Sequence, residues 1–514
     1  MSQSEEFVFV KGKNGELKIP KRQRVLILQG GGALGAYEVG AFEAIYTHLK
    51  ANGISLNNMF NIVAGVSAGA INGALLVDYY LKNAKSWEGS PKVLKNVWKK
   101  LSAKTIADIF VPNVWSAISF FNPLAAQLEA ARRYWSWFEI AALTPPFGGI
   151  SPNLSVSMSK PDYKFMSLLN TGIFYDFTPL DAFLSANINY PIQTSINNDE
   201  PRLLISSIDA VDCSGPIIFD SYPNLGNECK ICNSKFSDSK SLLEHFNTNH
   251  PETDKAKTID PTKLYYTVYG SDVETHIVRY NGIGQPELMS SCLFPYAIHH
   301  SKMYDHISKT NRVMWDGAFL NNTPLREVLQ NHREFWLNYF RENAVKVEFS
   351  EDQRIEEGNP NAKPPDLDVY IINLYPAIEQ TNEEPRDKDL IDDRINDIRF
   401  CDRTKYDQKI AEVISDYITL TRNLVELAMK KNATDSEIKK ILGNNAKSFS
   451  RNKLQRKYWD LLQGRFNVVV HRIDRTDDPY TIAGKHADFS EVTIEKLIEA
   501  GKKDADDYWK INDE

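Results

Sequence analysis

A serine stands where a nucleophile could be exposed. The pentapeptide GVSAG, Gly65 to Gly69, fits a GxSxG pattern around Ser67 and lies between an apolar run that predicts a strand and one that predicts a helix. Such a turn needs glycine neighbours and presents the hydroxyl at a helix N-terminus, where developing negative charge is favoured. The pattern by itself also fits an ordinary glycine-rich turn, so other residues must support it.

A glycine-rich loop precedes this serine in the chain. GGGALG, Gly30 to Gly35, directly follows the strand-like run RVLILQ and opens a helix-like run. Unshielded N–H groups at Gly30, Gly31 and Gly32 could stabilise an oxyanion, a contribution worth about 3–4 kcal/mol when preorganised. The loop also satisfies GxGxxG, but the acidic residue that a dinucleotide site needs about 20 positions later is missing. The spacing therefore favours oxyanion stabilisation over dinucleotide binding.

An aspartate ends a third apolar run. Asp316 begins the sequence DGAFLNN after NRVMW, which predicts a strand. Its carboxylate is expected to project from the carboxyl edge of a parallel sheet. A turn-forming Asp-Gly pair is the alternative interpretation, and it is the more common use of this dipeptide.

In this order the three motifs resemble the patatin-like phospholipase family, over Arg22 to about Pro324. The run SSCLFPYAI, Ser290 to Ile298, also looks like the family's. The resemblance implies a three-layer α/β hydrolase with a mainly parallel sheet, acting on carboxylic esters of lipids through an acyl-serine. It makes Ser67 the nucleophile, Asp316 its base and the glycine loop the oxyanion hole. Catalysis would need no cofactor.

The base has an alternative. A carboxylate with a pKa near 3.9 is a weak base for a serine hydroxyl, although burial raises the pKa and proton transfer can accompany attack. A Ser-Asp-His triad in the order of α/β-hydrolases also remains open, because His471 and His486 follow Asp316 in the chain. The motifs favour the dyad of Ser67 and Asp316.

Two cysteines and two histidines have the spacing of a zinc finger. Cys229 and Cys232 are separated by two residues, His245 follows after twelve more, and His250 follows after another four. One structural zinc ion is therefore predicted. Three lysines balance three acidic residues between positions 228 and 250, which provides no positive field for phosphates. A structural clamp or a protein contact is favoured over nucleic-acid binding.

An aromatic-rich stretch follows the nucleophile motif. Residues 114–150 hold several Trp, Phe and Tyr side chains together with Arg132 and Arg133. This stretch could form a lid or an acyl channel, and its Trp and Arg residues could contact a lipid surface transiently. A cap packed on the core is the competing interpretation, and it is slightly favoured because aromatic clusters more often belong to cores.

Composition limits the class of protein. The 514 residues are 42% hydrophobic and 25% charged, with a formal net charge of -7, which describes a globular protein without a basic field for nucleic acid. Five cysteines, an odd number, argue for a reducing compartment. The amino end lacks the apolar run of a signal peptide. The expected location is the cytoplasm, with peripheral membrane contact possible.

The chain is expected to divide into four parts. Residues 20–220 and 263–330 form the two parts of a patatin-like core, and residues 221–262 form a zinc-finger insertion between them. Residues 331–514 form a C-terminal region whose strands, at 368–376 and 466–473, return to the sheet with charged helices between them. A rival function is a scaffold that binds protein or nucleic acid through the finger, on an inert hydrolase fold. The intact set of motifs argues against inertness.

Overall fold

A computed structural model describes most of the chain. The described residues are 7–12, 15–105, 129–136, 155–161, 171–211, 215–222, 227–228, 235–236, 248, 265–270, 274–279, 282–295, 297, 300–305, 310–343, 345, 362–376, 387–431, 434–449, 455–458, 462–476 and 481–512.

The elements follow one another along the chain as strands and helices. The strands are β1 (Phe7–Gly12), β2 (Gly15–Pro20), β3 (Arg22–Leu28), β4 (Ile62–Val66), β5 (Ser155–Pro161), β6 (Thr171–Asp176), β7 (Arg202–Asp209), β8 (Pro216–Asp220), β9 (Asn227–Glu228), β10 (Lys235–Phe236), β11 (Tyr265–Gly270), β12 (Glu274–Arg279), β13 (Lys302–Asp305), β14 (Thr310–Asp316), β15 (Asp366–Asn373), β16 (Asn445–Phe449), β17 (Gln455–Lys457) and β18 (Val468–Asp474). The longer helices are α1 (Gly35–Ala51), α2 (Ala68–Lys82), α3 (Ser90–Leu101), α4 (Thr178–Asn187), α5 (Gln285–Ser290), α6 (Leu325–Glu342), α7 (Lys388–Phe400), α8 (Lys405–Lys430), α9 (Asp435–Leu442) and α10 (Glu491–Asn512).

One large sheet organises these elements. Its strand order is β11-β12-β8-β7-β4-β3-β15-β18, and β14 adds to β7 and carries β13. The pairs from β18 across β15, β3 and β4 to β7 are all parallel, whereas β8 and β14 run antiparallel to β7. The prediction of an α/β fold with a mainly parallel sheet is confirmed.

Helices cover both faces of this sheet. Along β3, Val25 and Ile27 pack in one apolar cluster with Leu325 and Val328 of α6. Leu26 and Leu28 point the other way into a cluster with α1, α2, α3 and α10. This alternation is the two-residue period of a strand, and apolar residues on both faces explain why its sequence is a continuous apolar run. The result is a three-layer arrangement.

The C-terminal region returns to the sheet, as the sequence predicts. β15 pairs in parallel with β3 and with β18. The last helix, α10, then packs against α1 where both helices carry a glycine. A Cβ on Gly40 would lie 1.8 Å from the carbonyl oxygen of Ile498, and a Cβ on Gly501 would lie 2.0 Å from that of Tyr37. Only glycine permits this close backbone approach, which fixes the position of α10.

The strand before Asp316 runs in an unexpected direction. The apolar run before Asp316 predicts a strand of a parallel sheet, but β14 is antiparallel to both β13 and β7. Only Met314, Trp315 and Asp316 pair with β7. β14 forms an antiparallel pair with β13 and contacts β7 only through its last three residues. An apolar run does not indicate the direction in which a strand pairs, so the sequence could not predict this arrangement.

The predicted finger lies almost wholly outside the described residues, and so do all four of its ligands, Cys229, Cys232, His245 and His250. Two short described strands, β9 and β10, pair antiparallel and flank the positions of the two cysteines. Within the described ranges, no group of three or more His, Cys, Asp or Glu side chains could hold a metal ion.

Two further observations concern membranes and thiols. In the described part of the chain, no helix is long and apolar enough to cross a bilayer. Cys292 and Cys401 are free thiols, the first buried and the second partly exposed. The other three cysteines lie outside the described residues.

Candidate active site

Ser67 sits in a strained turn between β4 and α2. Its backbone φ of 52° and ψ of -121° fall in a region that residues other than glycine rarely adopt. The flanking glycines make the turn sterically possible. A Cβ on Gly65 would lie 2.3 Å from the carbonyl oxygen of Gly69, and a Cβ on Gly69 would lie 2.4 Å from that of Leu28. The GxSxG pattern therefore reflects a real steric requirement.

Strand register brings Asp316 to Ser67. On one edge of β7, Val66 of β4 lies opposite Ser206, and Asp316 of β14 lies opposite the next residue, Ser207. Because β4 runs parallel to β7 and β14 runs antiparallel, their carboxyl ends approach each other head-on along this edge. The residue after β4 is Ser67. The two candidate catalytic side chains thus meet although they are 249 positions apart in the chain.

The Asp316 carboxyl is fully buried. Burial raises its pKa to about 7, and hydrogen bonding with the Ser67 hydroxyl and the Ala318 N–H lowers the pKa to a smaller extent. Oδ1 accepts the Ala318 N–H at 2.9 Å, whereas Oδ2 finds no partner of good hydrogen-bond geometry within the described part of the chain. The Ser67 hydroxyl is thus near enough to affect the pKa without forming a well-aligned bond. A carboxyl of this kind is poised to exchange a proton near neutral pH.

Ser291 fastens the serine turn to β7. Its hydroxyl accepts the backbone N–H of Ser67 at 2.9 Å and donates to the carbonyl oxygen of Ser206 at 2.6 Å. The N–H of Asp316 donates to the carbonyl oxygen of Leu293 at 2.9 Å, two residues further on. The segment that resembles the family before the third motif therefore ties both candidate residues to one support.

Asn322 locks the first of the three glycines. The Gly30 N–H donates to Asn322 Oδ1 at 2.8 Å, and Asn322 Nδ2 donates back to the Gly30 carbonyl at 3.1 Å. The Gly30 N–H is therefore occupied in this structure. Among the described residues, the N–H groups of Gly31 and Gly32 have no acceptor. These two donors are available to a developing oxyanion, whereas Gly30 shapes the loop.

Gln29 holds the start of the same loop. Its amide Nε2 donates to Thr323 Oγ1 at 2.6 Å, and its Oε1 accepts the Leu374 N–H at 2.7 Å. The side chain is completely buried. It therefore links the glycine loop both to the turn after Asp316 and to the end of β15.

Ser67 opens into an apolar cleft. The cleft is narrow, with a cavity volume of about 60 Å³, and aromatic and aliphatic side chains dominate its lining. Its lining residues are Gly32, Ser67, Ala68, Ile71, Trp98, Leu101, Phe177, Leu180, Cys292, Phe294, His486, Ala487 and Phe489. Ser67, Cys292 and His486 are the polar members of that set. This lining suits a hydrocarbon chain.

A C-terminal segment forms one wall of the cleft. Residues 485–489, named here the C-terminal strap, contribute His486, Ala487 and Phe489 to the lining. The strap also presses on the glycine loop, because a Cβ on Gly32 would lie 2.2 Å from the His486 carbonyl oxygen. Gly32 has a φ of +56°, which likewise favours glycine.

Buried ion pairs anchor the strap. Lys485 Nζ lies 2.9 Å from Asp393 Oδ1 and 2.5 Å from Asp397 Oδ1, both on α7. Arg133 Nε lies 3.3 Å from Asp488 Oδ2. Since removing one partner of a buried pair leaves an uncompensated charge, these contacts hold the strap firmly against the cleft.

The two histidines of the triad alternative differ in position. His471 lies in β18, three strand spacings or about 14 Å from β4, and its ring contacts Asp368 and Tyr508. His486 lines the cleft. Burial and the neighbouring Lys485 lower the pKa of His486, which keeps the imidazole neutral near pH 7. Among the described residues, no hydrogen bond joins it to Ser67 or Asp316.

The arginines of the aromatic-rich stretch are buried. Arg132 pairs with Glu129 at 2.9 Å and donates to Thr493 Oγ1 at 2.8 Å. With Arg133 engaged by Asp488, this pair faces protein, which fits the packed cap better than a lipid contact through these side chains. Tyr134 and Trp135 beside them are exposed, Trp135 at 62%. Residues 114–128 and 137–150 lie outside the described residues, so the lid remains a prediction.

Several residues of the site were not identified from the sequence. Gln29 carried a weak signal as a polar residue ending an apolar strand, and Asn322 a weaker one as a neighbour of the DGA motif. Ser291 lay in a segment noted only for its resemblance. The strap carried no signal, because it follows Asp316 by about 170 residues and contains no motif.

The fold and this site are those of an α/β protein with a glycine loop, a strained serine turn and a buried carboxyl on adjacent strand ends. The model of the patatin-like phospholipase family matches residues 26–329, more than half of the chain. The chain belongs to the patatin-like phospholipase family, whose members are lipid acyl hydrolases.

Other comparisons add little. No curated protein sequence matches the chain. The crystal structure of VipD from Legionella pneumophila aligns with 96% of this chain and 70% of that chain, at 10% sequence identity and a TM-score of 0.26. This likeness is too weak to support a conclusion about fold or function.

Proposed function

We propose that this protein hydrolyses carboxylic esters of lipids through an acyl-enzyme on Ser67, with Asp316 as the base. The observation that carries the proposal is the head-on meeting of β4 and β14 on β7, which brings the strained serine turn beside a buried carboxyl. Members of the family are lipid hydrolases, which supports the class of reaction.

The reaction would run in two halves. Ser67 Oγ attacks the acyl carbon while its proton passes to the Asp316 carboxylate, and the Gly31 and Gly32 N–H groups stabilise the oxyanion. As the tetrahedral intermediate collapses, the ester C–O bond breaks and the leaving alcohol takes the proton from Asp316. Water then attacks the acyl-serine with the same base, which releases the carboxylic acid and restores Ser67.

The cleft supports a lipid acyl group as substrate. Its apolar walls begin at Ser67 and continue over Trp98, Phe177 and Phe489, with few polar groups to recognise a hydrophilic acyl chain. Burial of apolar substrate surface contributes about 0.8 kcal/mol per CH₂ group. Longer acyl chains should therefore raise kcat/KM until the cleft is filled.

Ester turnover tests this proposal. Purified protein would be assayed on esters from butyrate to palmitate, and a fluorophosphonate probe would identify the labelled serine. Ser67→Ala and Asp316→Asn should each lower kcat by roughly 10³-fold or more, and the double variant should be little worse, because the two residues act as one unit.

Two results would decide against this mechanism. Full turnover in Ser67→Ala would exclude the acyl-serine. A collapse of turnover in His486→Ala, with Asp316→Asn nearly as active as the wild type, would replace the dyad with a histidine-based site. Under the dyad, His471→Ala and His486→Ala should each change turnover by only a few fold.

A further inference from the structure

Helix α8 has two apolar stripes, and among the residues that the structure describes only one of them packs against other elements. The inner stripe includes Ala411 and Ile418, of which Ile418 is 3% exposed. Ser415 on this side donates its hydroxyl to the Phe466 carbonyl at 2.8 Å. Val425 and Met429 extend the stripe onto α9. The inner stripe is sufficient to hold α8 on the fold.

The second stripe is exposed. Its seven members are each between 37% and 69% exposed, and Ile414, which is 36% exposed, borders them. They are Tyr406, Ile410, Val413, Tyr417, Leu420, Leu424 and Leu427, named here the outer stripe. Exposed apolar residues are common singly, but a continuous row on one helix marks an interaction site.

The spacing of the outer stripe identifies the kind of partner. Successive members are separated by four, three, four, three, four and three positions. This alternation is the a/d pattern of a coiled coil, which keeps one seam facing another helix over three heptads. A helix that lies flat on lipid needs no such regular alternation, and Ile414 beside Val413 occupies a flanking position that is often apolar in such heptads. The partner is therefore expected to be a helix.

The area of the outer stripe fits a stable interface. With about 200 Å² for a large side chain, the exposed fractions amount to roughly 700 Å². Each partner in a standard protein interface contributes about 800 Å². The outer stripe alone thus approaches the size of one side of a stable dimer.

Charge favours a second copy of this chain over a charged partner or an anionic membrane. Lys405–Lys430 contains four basic and four acidic residues, so two copies of α8 would not repel each other. The exposed polar side beside the stripe mixes Lys409 with Glu412 and Asp416, whereas helices that bind membrane surfaces are rich in Lys and Arg there. A heptad seam can pair with the same seam on a second copy, as a two-fold dimer requires.

We propose that the protein forms a two-fold dimer in which the outer stripes of two α8 helices pack as a short coiled coil. Helix α8 lies on the α6 side of the sheet, through Ala411 and its neighbours. The Ser67 cleft lies on the α2 side. Dimerisation therefore does not depend on the proposed ester hydrolysis.

Sedimentation velocity of the full-length protein over a concentration series tests the dimer. The pair Leu420→Lys with Leu424→Lys should raise the dimer dissociation constant roughly 100-fold or more, because each lysine would be placed in the seam. The charge-matched control, Glu412→Lys, also raises the net charge by two, at an exposed position away from the seam, and should change the dissociation constant by only a few fold.

Each outcome is decisive. Circular dichroism should show equal helix content in both variants, since the altered side chains are already exposed. Ser67→Ala should dimerise as the wild type does, whatever its turnover. A protein that stays monomeric at high micromolar concentration would overturn the proposal, as would a dimer that the leucine variant leaves intact. Binding of the monomer to phosphatidylglycerol vesicles that is lost in the leucine variant would assign the stripe to lipid instead.

Discussion

At the scale of single residues, the protonation of Asp316 should control turnover. Burial raises the pKa of this carboxyl to about 7, and the proposed mechanism needs the ionised form as base. The kcat/KM for a neutral ester should therefore rise with pH and level off above a midpoint near 7. A pH–rate profile on one ester measures this directly. A limb centred near pH 4 would mean that Asp316 is not the group that titrates.

The Asp316 carboxyl should also make the protein less stable as the pH rises, whereas it makes turnover faster. Between pH 4 and 7, Asp316 is protonated in the folded state but ionised in the unfolded state, so folding takes up a proton. Raising the pH through this window should lower the free energy of unfolding by up to about 1.4 kcal/mol per pH unit. Asp316→Asn removes this contribution. Urea unfolding at several pH values should show a smaller pH dependence in the variant, and an unchanged slope would contradict the assigned burial.

At the scale of elements, the C-terminal strap should set acyl preference. The Phe489 ring stacks on Trp98 at 6.2 Å and lines the cleft. Phe489→Ala should enlarge the cleft and shift the kcat/KM optimum toward longer or bulkier acyl groups, with kcat on a short ester changed by only a few fold. Competition between esters of different chain length measures the shift.

Phe466→Ala is the matched control for the strap. It removes the same ring from the apolar cluster on the opposite face of the sheet. Because Phe466 is buried whereas Phe489 is only partly buried, a loss of stability at least as large is expected, on the order of 3–5 kcal/mol for a buried Phe, without a change in acyl preference. If both variants shift the preference equally, the effect comes from loosened packing and the strap has no specific role.

Packing of helices also explains how the strap can line the Ser67 cleft although it lies about 420 residues after Ser67 in the chain. α10 is fixed on α1 by the glycine contact of Gly40, and α7 holds Lys485 with two carboxylates. The strap enters the site between these two attachments. The C-terminal region thus contributes one wall of the cleft, although the family match ends at residue 329.

At the scale of the whole molecule, the predicted finger should be separable from the hydrolase core. Asp220 ends β8, and Tyr265 begins β11 with only β12 between them, about 10 Å away at the same edge of the sheet. An insertion with ends this close can unfold without pulling the sheet apart. The short β9–β10 hairpin around the two cysteines is consistent with a zinc-stabilised unit.

Removal of the zinc ligands tests this separation. Cys229→Ser with Cys232→Ser should reduce bound zinc from about one per chain to near zero, while ester turnover stays within a few fold. Elemental analysis and the ester assay measure the two effects, and His48→Ser is a control outside the finger. Zinc content that the cysteine changes leave unaltered would disprove the site. Tight duplex DNA binding lost together with zinc would favour nucleic acid over a structural or protein-contact role.

Local sequence predicted the parts of the site. Periodicity and turn residues were enough for β3, α1, β4 and the serine turn, because apolar spacing and glycine requirements are encoded within a few residues. The order of the three motifs also indicated Ser67 and Asp316. These inferences needed only neighbours in the chain.

Tertiary structure decided how the parts meet. The opposition of Val66 and Asp316 to successive residues of β7, the antiparallel direction of β14, and the use of the Gly30 N–H by Asn322 all depend on partners more than 100 residues away. The strap wall depends on ion pairs of Lys485 with α7. Strand register and buried pairing arise from packing of the whole chain, and a single sequence contains no local pattern that specifies them.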